Sequence, residues 1–233
     1  ATLRRTLIES LSSLRTEHID LYYLHRWDKQ VPVEDSIGEL SRMVEEGKIG
    51  AIGLSEVSAD TLRRAHGVHP IAAVQTEYSL WTRNAEIAVL DACAELGAAL
   101  VAFCPLARGF LSGGVGEPEA LAERDIRRGM PRFQRENYEA NMVLYNKFTQ
   151  LADEAGVTPG QLALGWVLAQ GEHVTPIPGT RSIAHLEENV AVGNMVFSPD
   201  ILERAGKLIN QGTVTGERYP AATQAEIDTE KFG

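Results

Sequence analysis

The sequence predicts an α/β chain with a parallel sheet covered by helices. Short aromatic and apolar runs recur, separated by amphipathic stretches with helix start and stop signals. The runs are apolar almost throughout rather than alternating, as strands buried on both faces are. No GxGxxG follows a strand and opens a helix, so an open dinucleotide-binding sheet is weakly supported and a (β/α)8 barrel leads.

In chain order, "TLRRTLIESLSSL" places Leu3, Leu7, Leu11 and Leu14 on one stripe, so residues 2–14 read as a helix. "IDLYYLH" (19–25) is the first strand. "VEDSIGELSRMVEEGK" (33–48) is an amphipathic helix with Gly47 as its stop. "IGAIGLS" (49–55) is a strand, and Ser58 is placed to cap a helix over 58–67. "IAAVQTEYS" (71–79), a helix over 85–97 and "AALVAFCPL" (98–106) continue the alternation. Residues 107–137 are polar and rich in glycine and arginine. A long excursion of this kind inside a compact domain is usually functional. Helices follow at 138–156 and at 158–171, the second opened by Thr158-Pro159. "HVTPIPGT" (173–180) is the fifth strand, with helices over 182–192 and 198–210. One domain over 1–233 is expected.

Composition excludes several function classes. The chain has 233 residues, is 44% hydrophobic and carries a net charge of −10. No Lys/Arg-rich run suggests nucleic acid, and no apolar run reaches membrane-spanning length. The two cysteines, Cys93 and Cys104, lack CxxC spacing and suit a reducing cytoplasm. The histidines at 18, 25, 66, 69, 173 and 185 form no HxH or HExxH pattern, so no metal site is expected.

Chemistry in a parallel barrel gathers where strands end. The ends here carry His25, Ser55 with Glu56, Gln75 with Glu77, Phe103 to Pro105, and Gly179 to Ser182. Taken singly, each has an ordinary structural reading. His25 can satisfy a local partner, Gln75 can tie loops together, and Cys104 can be a small apolar residue. "IPGTRSIAHLEEN" (177–189) runs from a strand through Pro-Gly-Thr-Arg-Ser into a helix start, whose free N–H groups suit a phosphate; Arg181 adds a planar charge. An ordinary cap by Ser182 beside a solvated Arg181 fits that stretch equally well.

Together, "IDLYYLHRWD", "EEGKIGAIGLS", "AVQTEYSLW", "CPLARGFLSG" and "IPGTRSIAHLEENVA" resemble the aldo-keto reductases, in this order and over nearly the whole chain; the likeness is greatest to bacterial members with GLSE after the second strand. The resemblance implies a (β/α)8 barrel that binds NADPH and reduces the aldehyde or ketone of a small-molecule substrate. It assigns His25 to orienting the carbonyl, Ser55 and Gln75 to the nicotinamide carboxamide, and Phe103 to stacking on the ring. Leu106, Arg108 and Gly109 fall near the pyrophosphate, and Gly179, Arg181, His185, Glu188 and Asn189 near the adenosine and its 2′-phosphate.

Three departures stand out. Glu56 replaces a frequent asparagine, and Gly114 replaces a frequent lysine. The third is that the family's aspartate, tyrosine and lysine match no residue: the tyrosines at 22, 23, 78, 138, 145 and 219 fall elsewhere, and Lys48 sits before a strand. By this alignment the barrel is incomplete, with strands four to eight present. An interior left open in this way would forfeit on the order of 10 kcal/mol of apolar burial, so an N-terminal segment or a second copy is expected as partner. The arginines at 124, 127, 128 and 132 read mostly as solvated. Two alternatives stand beside the reductase: a truncated cofactor-binding or regulatory module without turnover, and a phosphate-ligand lyase or isomerase using His25 as base.

Overall fold

The computed structural model describes residues 2–232. The chain divides into two compact units. The first takes the chain to Thr76, Glu86–Leu100 and the tail from Ile227; the second takes Glu77–Ala85 and Val101–Glu226.

In the first unit, α1 (Thr2–Leu14), β1 (Ile19–Leu24), α2 (Val33–Glu45), β2 (Ile49–Ser55) and α3 (Ala59–Val68) follow as expected. β3 (Ile71–Glu77), α4 (Val89–Leu96) and β4 (Ala99–Phe103) carry the chain on toward the second unit. β1 pairs parallel with β2, Leu24 opposite Leu54, and β2 pairs parallel with β3, Ser55 opposite Gln75. The α/β class with a parallel sheet is therefore present. Ile37, Leu40 and Met43 of α2 and Leu62 of α3 are fully buried, as are Ile52 and Leu54 of β2. Gly47 and Gly97 end their helices at φ +70° and +69°, where a side chain would be strained. Ser58 caps α3 by accepting from the Thr61 amide.

Several boundaries differ from expectation. Of the α1 stripe only Leu7 is fully buried, and Leu14 is 64% exposed. The helix expected over 85–97 is a 3₁₀ turn (Asn84–Ile87) and then α4, broken at Ala88, whose φ of −159° is not helical. The third strand stops at Glu77, because Ser79 and Thr82 close a tight turn through backbone bonds of 3.1 and 3.2 Å. The fourth stops at Phe103, because Cys104 turns left-handed (φ 50°).

The second unit holds α5 (Arg135–Glu154), α6 (Pro159–Leu168), β5 (Val174–Ile177), α7 (Ile183–Ala191), α8 (Pro199–Leu208) and α9 (Ala221–Glu226). α9 has no counterpart in the sequence reading. β5 contains Pro176 and ends at Ile177, short of the expected Thr180. α6 opens with a capping box between Thr158 and Gln161 and is buried nearly all round, from Leu162 to Val167. α7 turns its apolar stripe outward, with Ile183 76% and Val190 65% exposed. The excursion forms four 3₁₀ turns, and α5 begins at Arg135 rather than Tyr138. An aromatic cluster pins it: Trp81 lies 4.0 Å from Phe110 and 5.6 Å from Phe133, ring to ring, and Phe110 meets Tyr138 at 5.7 Å.

Candidate functional site

Parallel pairing brings the C-terminal ends of β1, β2 and β3 to one sheet edge. His25 follows the last residue of β1 and is exposed. Ser55 is buried, and its Oγ accepts from Arg26 Nη1 at 3.1 Å. Arg26 was missed in the sequence, where it reads only as part of a polar run. Burial raises the pKa of Tyr23, and a hydrogen bond with Gln75 works in the opposite direction. The Tyr23 ring lies so close over Gly53 that a Cβ there would stand 2.5 Å from it. Gly53→Ala should therefore displace Tyr23 and cost about 1–3 kcal/mol in urea unfolding. Unchanged stability would show that the ring has room to move.

Glu56, the departure noted above, is buried and left-handed at φ 56°. Its Oε1 accepts from Thr76 Oγ1 at 3.0 Å, its amide donates to the Gln75 carbonyl, and its carbonyl accepts from the Asp228 amide. Asp228 Oδ2 in turn accepts from the Ser58 amide, Ser58 Oγ and Thr61 Oγ1 at 3.1, 2.9 and 2.7 Å. The tail thus fastens the loop that follows Ser55.

In the second unit a cavity of about 550 Å³ joins the exit of β4 to the start of α7. It brings together Phe103, Leu106, Arg108 and Gly109 with Gly179, His185, Glu188 and Asn189, all singled out in the sequence; Ser112 and Gly114 also line it. Arg181 does not line it and stands exposed between Thr180, which does, and Ser182. Ser182 caps α7, accepting from the His185 amide at 3.4 Å. Glu188 Oε1 accepts from Thr158 Oγ1 at 2.5 Å.

The Arg108 guanidinium is turned onto Glu77, with Nη1 and Nη2 at 2.8 and 2.6 Å from its two carboxylate oxygens. Arg218 Nε adds a bond of 2.9 Å and Thr82 Oγ1 one of 3.0 Å. Burial alone would raise the Glu77 pKa, but attraction to Arg218 and Arg108 outweighs it and holds the carboxyl at about 2. The expectation of solvated arginines fails at two positions. Arg127 pairs with Asp125 at 2.6 Å and donates to the Arg108 carbonyl at 3.0 Å. Arg132 is drawn inward by the Trp81 carbonyl and Thr82, and burial lowers its pKa to about 10. Sequence cannot separate Arg132 from a solvated arginine, because its acceptors on Trp81, Thr82 and Gly216 are distant in the chain, whereas Asp125, two residues from Arg127, was a local signal.

Among the described residues no cluster of three or more His, Cys, Asp or Glu could hold a metal ion, and no helix is long and apolar enough to cross a membrane.

Parallel α/β construction, with polar groups at strand ends and a cavity at a helix start, is the arrangement of barrel-type chains. The chain belongs to the aldo/keto reductase family, whose model matches residues 1–210. It is 47% identical over 209 residues to "Probable aldo-keto reductase 1" of Glycine max, covering 90% of this chain and 60% of that protein. It superposes on the glycerol dehydrogenase AKR11B4 of Gluconobacter oxydans with a TM-score of 0.83 at 27% identity, covering 94% of this chain and 66% of the other. The thermostable aldo-keto reductase Tm1743 matches with a TM-score of 0.68 at 26% identity, over 88% and 65% of the two chains. The chain thus spans about two thirds or less of the length of each of these relatives.

Proposed function

We propose that this chain forms the NADP(H)-binding and carbonyl-orienting part of a reductase that converts aldehydes or ketones to alcohols. One observation carries the reading: the cavity between the β4 exit and the start of α7 gathers eight of the residues assigned to the dinucleotide by the family resemblance. Its volume suits an elongated organic ligand. The donor set also fits. The N-terminus of α7 favours an anion, Gly179 would admit a side chain freely and so leaves space for a ligand, and a Cβ at Gly114 would stand 3.4 Å from the Gly109 carbonyl. NADPH, when bound, supplies the hydride.

His25 is assigned to hydrogen-bonding the carbonyl oxygen, and Ser55 and Gln75 to orienting the carboxamide, both on the family resemblance. Alkoxide formation also needs a proton donor, and general acid catalysis contributes about 10²–10⁴ in rate. No residue of this sequence matches the family's tyrosine, lysine or aspartate. Turnover by these 233 residues alone is therefore expected to be negligible, while binding of the cofactor is retained. A reducing cytoplasm fits Cys93 and Cys104, which form no disulfide.

Titration of NADPH fluorescence tests the reading, and saturable quenching or enhancement is expected. No binding up to millimolar NADPH would refute it. Rapid reduction of 4-nitrobenzaldehyde by the chain would refute the role given to the unmatched residues. Arg181→Ala should weaken NADPH about tenfold and leave NADH nearly unchanged, as expected for one charge-assisted contact to the 2′-phosphate. Equal losses for both nucleotides would remove Arg181 from that role.

A further inference from the structure

The stretch from Cys104 to Gly109 lines the cavity in an unusual conformation. Cys104, Ala107 and Arg108 are left-handed at φ 50°, 51° and 58°, beside Gly109 at 89°. Non-glycine residues pay a steric cost there, and such strain persists only where surrounding structure over-determines it. Local bonds close the turn, from the Ala107 amide to the Cys104 carbonyl at 2.9 Å and from the Gly109 amide to the Leu106 carbonyl at 3.0 Å. The rest of the restraint comes from Glu77. Its carboxylate grips both ends of the Arg108 fork and also Arg218, with the Tyr219 ring 5.2 Å from the first guanidinium and 4.7 Å from the second. From the other side, Arg127 holds the Arg108 carbonyl.

We propose that Glu77 is a positioning residue for the cavity: by clamping Arg108 and Arg218 it holds the strained 104–109 turn in the shape that accepts the dinucleotide. The inference rests on the cofactor reading above and changes the part given to Arg108. Both terminal nitrogens of that guanidinium are committed to Glu77, and its side chain is only 10% exposed. Arg108 therefore serves the site through the backbone it anchors rather than as a phosphate ligand. Arg218 and Tyr219, more than a hundred residues further along, belong to the same clamp.

The test is NADPH affinity at several salt concentrations, below the melting temperature, for the wild type, Glu77→Gln, Arg108→Gln and the double variant. Glu77→Gln should weaken NADPH about tenfold or more, the scale of a lost charged hydrogen-bond pair. Arg108→Gln should match it, the double variant should lose little more, and the slope of affinity against salt should stay as in the wild type. Affinity for Glu77→Gln within twofold of wild type, despite a lowered melting temperature, would reduce Glu77 to a structural role and overturn the proposal. A salt slope made shallower by Arg108→Gln would also overturn it, by placing that charge on a phosphate. Should Glu77→Gln not fold, Arg218→Gln keeps the Arg108 fork and removes the second cation; it should weaken NADPH severalfold, and unchanged affinity would count against the clamp. Failure of the wild type itself to bind NADPH refutes the cofactor reading, an outcome distinct from all of these.

Discussion

Glu77→Leu should destabilise the protein by about 3–5 kcal/mol in urea unfolding, because it removes one partner of a buried ion network and leaves the other charges in place. Glu77 is 1% exposed, and the side chains of Arg108 and Arg218 are 10% and 4% exposed. Neither arginine can be neutralised by losing its proton near neutral pH, and neither reaches much water without moving the chain that carries it. Arg132 makes matters worse. It lies close enough to be repelled by both and attracted by Glu77, so loss of that carboxylate leaves a third cation under repulsion with only Glu217 to offset it. The same reasoning predicts that Glu77→Leu combined with Arg108→Leu and Arg218→Leu recovers part of the loss, since a well-packed apolar group avoids the desolvation cost altogether. A loss below about 1 kcal/mol for Glu77→Leu would mean that water reaches the network and that its charges are already solvated.

The pH dependence of that network has a definite sign. Glu77 titrates at about 2 in the folded chain against an ordinary value of 4.5. Its folded pKa is depressed, so its contribution is fully present above about pH 4.5 and is lost as pH falls through 2. Over that window the group contributes roughly 3 kcal/mol. The difference in unfolding free energy between wild type and Glu77→Gln should therefore be flat from pH 5 to 7 and shrink below pH 4.5. A difference that stays constant down to pH 3 would contradict the depressed carboxyl.

What the sequence made legible, and what it left hidden, divides along a physical line. Elements set by local signals were readable. The β2 strand over 49–55 falls where its apolar run does, Gly47 and Gly97 take the left-handed conformations their positions suggest, and Ser58, Thr158 and Ser182 cap their helices. Cavity residues were legible because a family pattern fixed them in order: Phe103, Leu106, Arg108 and Gly109 line one space with Gly179, His185, Glu188 and Asn189, although some seventy residues separate the two groups, while Arg181 of the same pattern stays outside it. Features that depend on distant partners were hidden. Nothing near Glu77 in sequence announces Arg218, and the left-handed turn at Cys104 has no glycine to mark it. Tyr23 gave no signal either, because its position over Gly53 depends on the register between β1 and β2. Solvation is hidden for the same reason: Arg132 lies in a polar, arginine-rich stretch yet is half-buried and donates to the Trp81 carbonyl.

Trp81→Ala should cost about 3–5 kcal/mol, the range for removing a buried large aromatic, and should loosen residues 107–134 more than the helices of the same unit. Trp81 is 3% exposed and makes three contacts with the excursion: the Phe110 ring at 4.0 Å, the Phe133 ring at 5.6 Å, and the Arg132 guanidinium at 5.6 Å over the indole. The four 3₁₀ turns of the excursion carry little regular backbone pairing, so this cluster, with Tyr138 bonding the Val115 and Gly116 carbonyls at 3.0 and 2.9 Å, largely determines its order. Hydrogen exchange should accordingly show protection lost across 107–134 at temperatures where α6 amides remain protected. Because Gly109, Ser112 and Gly114 line the cavity, NADPH affinity should fall together with that protection. Uniform loss of protection across the unit would instead show that Trp81 belongs to the global core, with the excursion unfolding only when everything else does.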